Sequence, residues 1–258
     1  MKAKGKKLLL FLLGIALCLA IYEIIAFCTG LKYLPEFFVA LKGMFLLMGK
    51  SLTWVSLGYS LLRLLISFAV STVVGVVLGI LAGYFEPVEK VLAPLITILR
   101  AIPTIAVLFL LIVYVPHFYL YVVFLLLFPL IYQASLEGSR EITRQYKDDL
   151  MMQGKWCWRN LVQVVFPLSQ DYILLGLIQA LGLGFKAEIM AETFGYSSSF
   201  QGIGKLIYLY YSQVEYADLV SLVLLVLLIS LLSGALLLFL RDKIEEKLGI
   251  SKKKIWIH

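Results

Sequence analysis

From Leu52 to Phe85 the chain carries a single charged side chain, Arg63. At helical rise that stretch extends about 50 Å, well beyond the roughly 30 Å of a bilayer's hydrocarbon core. It must therefore cross a membrane, and tilt, bend or project from it. Composition agrees: 62% of the 258 residues are apolar, 15% are charged and the mean hydropathy is +0.96. That leaves too little polar surface for a soluble fold. No Ser/Gly/Pro-rich linker or charge block divides the chain, so residues 1–258 read as one membrane domain.

The apolar runs predict an all-α, polytopic bundle of about six spanning helices. Leu8 to Phe27 follows Lys2, Lys4, Lys6 and Lys7, is long enough to span and lacks a small-x-small cleavage site, so it reads as a first span rather than a signal peptide. Gly30 to Ser51 mixes Pro35, Glu36, Lys42 and Lys50 with aromatic and aliphatic residues, a pattern for an interfacial segment on the outside. The Leu52–Phe85 run is the second span, with Arg63 in its outer part. Its Gly75, Gly79 and Gly83 recur every four residues and form a smooth stripe for close helix packing. Glu86 and Pro87 make a cytoplasmic turn, after which Val88–Val115 is a third span interrupted by Pro94 and Pro103. Phe118–Leu136, Tyr172–Met190 and Leu219–Leu240 supply the rest.

Charge sets the orientation. The outer loops hold only Lys32, Lys42, Lys50 and Lys205, whereas the termini, the Glu86 turn and the polar stretch Glu137–Asp171 hold most of the other basic residues. By the positive-inside rule both termini and that stretch are cytoplasmic. The chain thus divides into a first span with an outer segment (1–51), a core bundle (52–240) containing a cytoplasmic loop (137–171), and a basic tail (241–258). The same distribution accounts for the net charge of +7 without nucleic acid. Cys18, Cys28 and Cys157 have neither CxxC spacing nor an even count, and His117 and His258 stand alone, so no metal site is expected. No Ser/His/Asp set and no HExxH appears, which argues against a membrane enzyme.

The cytoplasmic loop is amphipathic in two pieces. Ile142, Tyr146 and Leu150 line one helical face; Trp158, Leu161, Val162 and Val165 line another. Gly154 between them permits a bend, and Pro167 is expected to limit the second helix before the fifth span. Lys155, Trp156 and Trp158 would then be presented to the cytosol at the bend, either as docking material for a partner or as anchors among headgroups.

The stretch DDLMMQGKWCWRNLVQVVFP, from Asp148 to Pro167, resembles the EAA loop of binding-protein-dependent ABC importer permeases. Gly154 and Pro167 keep that motif's thirteen-residue spacing and Asp148 takes its Glu position, while Asp149 and Leu150 stand where the family has alanines. SLLRLL from Ser60, LRAIPTIAVLFLL from Leu99 and GLGFKAEIMAETFGYSSSFQGIGKLI from Gly182 are similar to the nitrate, sulfonate, taurine and thiamine-precursor branch of those permeases. The resemblance implies a bacterial inner-membrane permease that binds no cofactor. ATP and Mg²⁺ would be held by two separate ABC ATPase subunits, consistent with the absence of a GxxxxGK[ST] motif here. It further implies a second permease copy as a homodimer and an extracytoplasmic solute-binding protein. Asp148, Asp149, Gly154, Lys155, Trp156, Trp158 and Pro167 would form the ATPase-coupling segment.

Candidates for the translocation path are the ionisable or helix-breaking residues at membrane depth: Arg100, Pro103, Lys186, Glu188 and Glu192. Arg100 lies about 18 Å along its helix from Val88, where a lipid-facing charge costs roughly 2.5 to 3.5 kcal/mol. It is expected to face a cavity, or to form an internal ion pair with Glu188 or Glu192. An ion-coupled secondary transporter or channel is the rival function; it would call for paired carboxylates in broken helices and an inverted repeat, neither of which stands out in the hydropathy.

Overall fold

A computed structural model describes residues 2–30, 33–152, 157–195 and 201–247, and these residues are helical with short connections. In chain order the elements are α1 (Lys2–Thr29), α2 (Phe37–Met48), α3 (Ser51–Tyr84), α4 (Glu86–Ala101), α5 (Thr104–Tyr114), α6 (Phe118–Gln145), α7 (Lys147–Met152), α8 (Trp158–Asn160), a π-helical turn (Leu161–Val165), α9 (Phe166–Leu168), α10 (Gln170–Phe194), α11 (Ile203–Ser212) and α12 (Tyr216–Lys247). Among the described residues, α3, α6, α10 and the Tyr216–Leu236 part of α12 are each long and apolar enough to cross a bilayer; the α4–α5 pair is a fifth if it is one broken span.

The interface of α3 with α6 organises the bundle. One face of α3 is a ladder of small residues, Ser60, Ser67, Ser71, Gly75 and Gly79, all buried. A Cβ added at Gly79 would lie 2.6 Å from the Tyr132 carbonyl oxygen, so the two backbones touch with no room for a side chain. Ser67 Oγ donates to the Leu120 carbonyl at 3.2 Å and Ser139 Oγ to the Ile80 carbonyl at 2.9 Å. Helices in lipid lack a hydrophobic driving force toward one another, so such close packing and interhelical hydrogen bonds hold them together. The opposite face of α3, with Leu62, Leu65, Ile66, Val73 and Val77, is exposed and apolar, as a lipid-facing surface must be.

The two prolines of the third apolar segment behave differently. Pro94 lies inside α4 without breaking it. Pro103 forces its predecessor, Ile102, into extended geometry (φ −73°, ψ 127°), which ends α4, and α5 restarts at Thr104 with its axis turned by 91°. The segment is therefore an elbow rather than an interrupted straight span.

A second difference concerns Gly30–Ser51. Beyond the interfacial character its sequence shows, α2 buries Ala40, Met44 and Leu47 and packs Gly43 against Ser221 of α12, joining the main core with Leu222 and Leu225. Twelve residues reach only about 18 Å, too short to span but long enough for one small-residue face to accept a neighbouring helix.

Candidate functional site

The polar segment after α6 folds back against α3. Tyr146 leaves helical geometry (φ −105°, ψ 25°) and ends α6, and α7 follows at an offset. Leu150 is buried with Leu161, Val165, Ile80 and Ile173 in a cluster separate from the main core. The first expected face, Ile142, Tyr146 and Leu150, therefore does line the protein. The second expected face splits: Leu161 and Val165 are buried, but Trp158 is 63% and Val162 57% exposed.

The cause is the π-helical turn, in which the Phe166 amide donates to the Leu161 carbonyl five residues back. Leu161 and Val165, four residues apart, stay on one face, while the wider turn rotates Val162 away from Val165. Pro167 also departs from expectation. It does not separate the loop from the next span; it sits exposed in the first turn of α9, and only Ser169 lies between α9 and α10. Ser169 caps this junction, its amide and hydroxyl both donating to the Val165 carbonyl at 3.0 Å and 2.7 Å. Asp148 and Asp149 are exposed in the first turn of α7, where the free amides favour acidic residues. Gly154, Lys155 and Trp156 lie outside the described residues. The result is a segment with one face fastened under α3 and the other, carrying Asp148, Asp149, Trp158 and Arg159, turned outward. The Trp158 ring rests edge-on against Phe85 at 6.0 Å.

The translocation candidates do not form one cluster. Arg100 occupies the last turn of α4, exposed and without a hydrogen-bond or ion-pair partner among the described residues. Pro103 is exposed at the elbow beside it. Arg100 lines two cavities, one of 210 Å³ toward Pro129 and Leu183 and one of 520 Å³ toward Tyr132 and Gln133. The expected pairing of Arg100 with Glu188 or Glu192 does not occur. Arg100 stands at the elbow in the last turn of α4, whereas Glu192, near the C-terminal end of α10, pairs with Arg63 at 2.7 Å.

Lys186 is exposed while Glu188 and Glu192 are fully buried, because residues two apart on a helix face away from each other and residues four apart share a face. Around Glu192 the structure builds a network that the sequence reading missed. Ser60 Oγ lies 2.9 Å and 2.7 Å from the two carboxylate oxygens and donates to them, and the Gly204 amide donates at 2.9 Å. Ser60 Oγ in turn accepts from the Ile203 amide at 2.9 Å. The Arg63 guanidinium also stands 4.7 Å from the Tyr119 ring centroid. Four elements, α3, α6, α10 and α11, thus meet at one carboxylate. The one signal in the sequence was Arg63 itself, a lone charge in an apolar run that needs a partner of opposite sign.

Residues 75–250 match the family described as binding-protein-dependent transport system inner membrane component. The chain belongs to that family. Within it, the chain is 29% identical over 175 residues to the bicarbonate transport system permease protein CmpB of Synechococcus elongatus, covering 66% of this chain and 62% of that one. It is 28% identical over 159 residues to the putative aliphatic sulfonates transport permease protein SsuC of Bacillus subtilis, covering 57% and 54%. The nitrate import permease protein NrtB of a Synechocystis species matches at 26% over 137 residues, covering 52% and 50%. The matches span less than two thirds of each relative's length. Nitrate and sulfonate permeases are the branch to which the Leu99 and Gly182 segments are similar, and a member of this family is a transport component of the inner membrane rather than a catalyst.

Proposed function

We propose that the chain forms the translocation pathway of an ATP-driven importer for a small anionic solute. It works as one of two identical permeases, with two ABC ATPases carrying ATP and Mg²⁺ on the inside and a solute-binding protein delivering cargo from outside. Counting α1 and the α4–α5 elbow with the four long helices yields six spans with both termini cytoplasmic. The anionic class is the one common to the bicarbonate, sulfonate and nitrate systems named above.

The observation that carries the coupling role is the two-faced cytoplasmic segment. Leu150, Leu161 and Val165 fasten it to Ile80 and Ile173, so force applied to its outer face is transmitted to α3 and α10. Trp158 and Arg159 are left exposed for a partner, and bulky aromatic and guanidinium groups are the side chains that anchor protein interfaces. Closure of the ATPases would push this segment and rock the bundle between inward-open and outward-open states.

Gly154→Val tests the proposal. A branched side chain restricts the backbone of a position where the sequence supplies glycine and adds bulk where a docking partner would approach. The variant should insert normally, yet lose co-purification of the ATPase or uncouple ATP hydrolysis from uptake in reconstituted vesicles. Normal ATPase binding together with uptake at the wild-type rate would refute the coupling role.

A further inference from the structure

α4, up to the elbow, and the facing part of α6 line the 520 Å³ cavity, which is open to its surroundings. Three charged side chains line it: Glu89, Arg100 and Arg140. Glu89 and Arg140 are ion-paired with each other, so their charges cancel and the guanidinium of Arg100 supplies the net charge. A second, independent feature lies on the same wall. Tyr132 is 2% exposed, and its hydroxyl is buried with no hydrogen-bond partner. Buried hydroxyls rarely go without a partner, so this one has a donor free for a ligand or a water in the cavity. One uncompensated cation and one unused hydroxyl donor thus meet at a cavity of the size that holds small ligands.

We propose that this cavity is a binding site of the permease itself for a small oxyanion, held by the Arg100 guanidinium and the Tyr132 hydroxyl. The planar fork of a guanidinium matches two oxygens of such an anion, and the phenol supplies a further donor. A cation would be repelled by Arg100, and a neutral apolar solute would desolvate it without compensation. For transport the proposal rests on the importer reading and adds to it that solute is selected a second time inside the membrane. The site itself is defined by this chain's residues alone.

Two arms test it and separate its failure from that of the importer reading. In the first, Thr97, an exposed residue on the cavity wall, is replaced by cysteine in full-length protein whose Cys18, Cys28 and Cys157 have been changed to serine. Its modification is timed with an anionic methanethiosulfonate bearing a sulfonate group and with a cationic one bearing trimethylammonium. A unit charge about 6 Å away in a partly wet site changes local anion concentration about tenfold.

The anionic reagent should therefore gain about tenfold and the cationic one lose about tenfold, a shift of about a hundredfold in their rate ratio relative to the Arg100→Gln protein. Arg100→Lys should keep the preference. Nitrate, bicarbonate or ethanesulfonate should slow the modification when Arg100 is present and not after Arg100→Gln. Equal reagent preference with and without Arg100, or no protection by any of the three anions, overturns the proposal. In the second arm, the complex with its ATPase and binding protein is reconstituted. Tyr132→Phe should lower anion uptake several-fold while ATPase stimulation by the loaded binding protein is retained. Uptake at the wild-type rate, or a parallel loss of ATPase stimulation, would show that the hydroxyl only supports the helix and would also overturn the proposal. Anion-selective labelling in a complex that takes up none of the three anions would support the site and remove the reading of these anions as the cargo.

Discussion

Removing the Glu192 carboxylate should unfasten the outer side of the bundle. That carboxylate is fully buried and accepts from Ser60 Oγ, Arg63 Nη1 and the Gly204 amide at 2.7–2.9 Å. In Glu192→Gln the shape is kept, but an amide nitrogen must face one of those donors and Arg63 loses its counter-charge. The Arg63 side chain is only 13% exposed, so solvent compensates little, and breaking such a pair from one side costs about 3–5 kcal/mol. For a protein of this size, 3 kcal/mol corresponds to a fall of roughly 10 °C in the unfolding midpoint. Arg63→Leu should be comparably damaging, whereas Arg63→Leu with Glu192→Gln should cost less than the sum of the singles by about 1.5 kcal/mol or more, because neither charge is then stranded. The assay is thermal unfolding of the four proteins in one detergent, with amide exchange at Ile203 and Gly204 as the local readout. Additivity within about 0.5 kcal/mol, or unchanged exchange at Gly204 in Glu192→Gln, would refute the claim that this carboxylate pins α11 to α3.

Further outcomes follow from the packing. Gly79→Val should reduce the yield of folded protein, since a Cβ there meets the Tyr132 carbonyl at 2.6 Å; overpacking of this kind costs about 1–3 kcal/mol, and Gly58→Ala, in open space, is the neutral control by size-exclusion profile. Leu161→Ala should lower thermal stability by about 2–5 kcal/mol as a buried residue of the cytoplasmic cluster, whereas Trp158→Ala should leave stability nearly unchanged and weaken ATPase co-purification. With the native cysteines replaced, a cysteine at Gln201 should react with an impermeant reagent from outside and one at Met152 should not; the reverse pattern would invert the topology.

Much of the helical plan was legible because periodicity and apolar length are local properties. The glycine stripe of α3, the apolar runs of α3, α6, α10 and α12, and the inner face Ile142–Tyr146–Leu150 all follow from spacing along a single helix. Val162 shares an α-helical face with Leu161 and Val165 by spacing, and the widened turn beside Pro167 turns it outward, whereas Trp158 is exposed as its place beside the bend predicts. Pro94 and Pro103 look alike in sequence, and only the second is an elbow.

The sequence by itself determined that this chain crosses a membrane, how its helices are spaced and which end of each is rich in Lys and Arg. Those properties come from the energy of moving residues between water and lipid, which each segment pays separately. Tertiary structure alone decided which charge meets which. Arg63 and Arg100 are equally anomalous in their apolar runs, but Arg63 shares its depth with the Glu192 carboxylate while Arg100 is carried by the elbow to a cavity wall. An ion pair depends on distance in space between helices far apart in the chain, and no pattern within either helix encodes it.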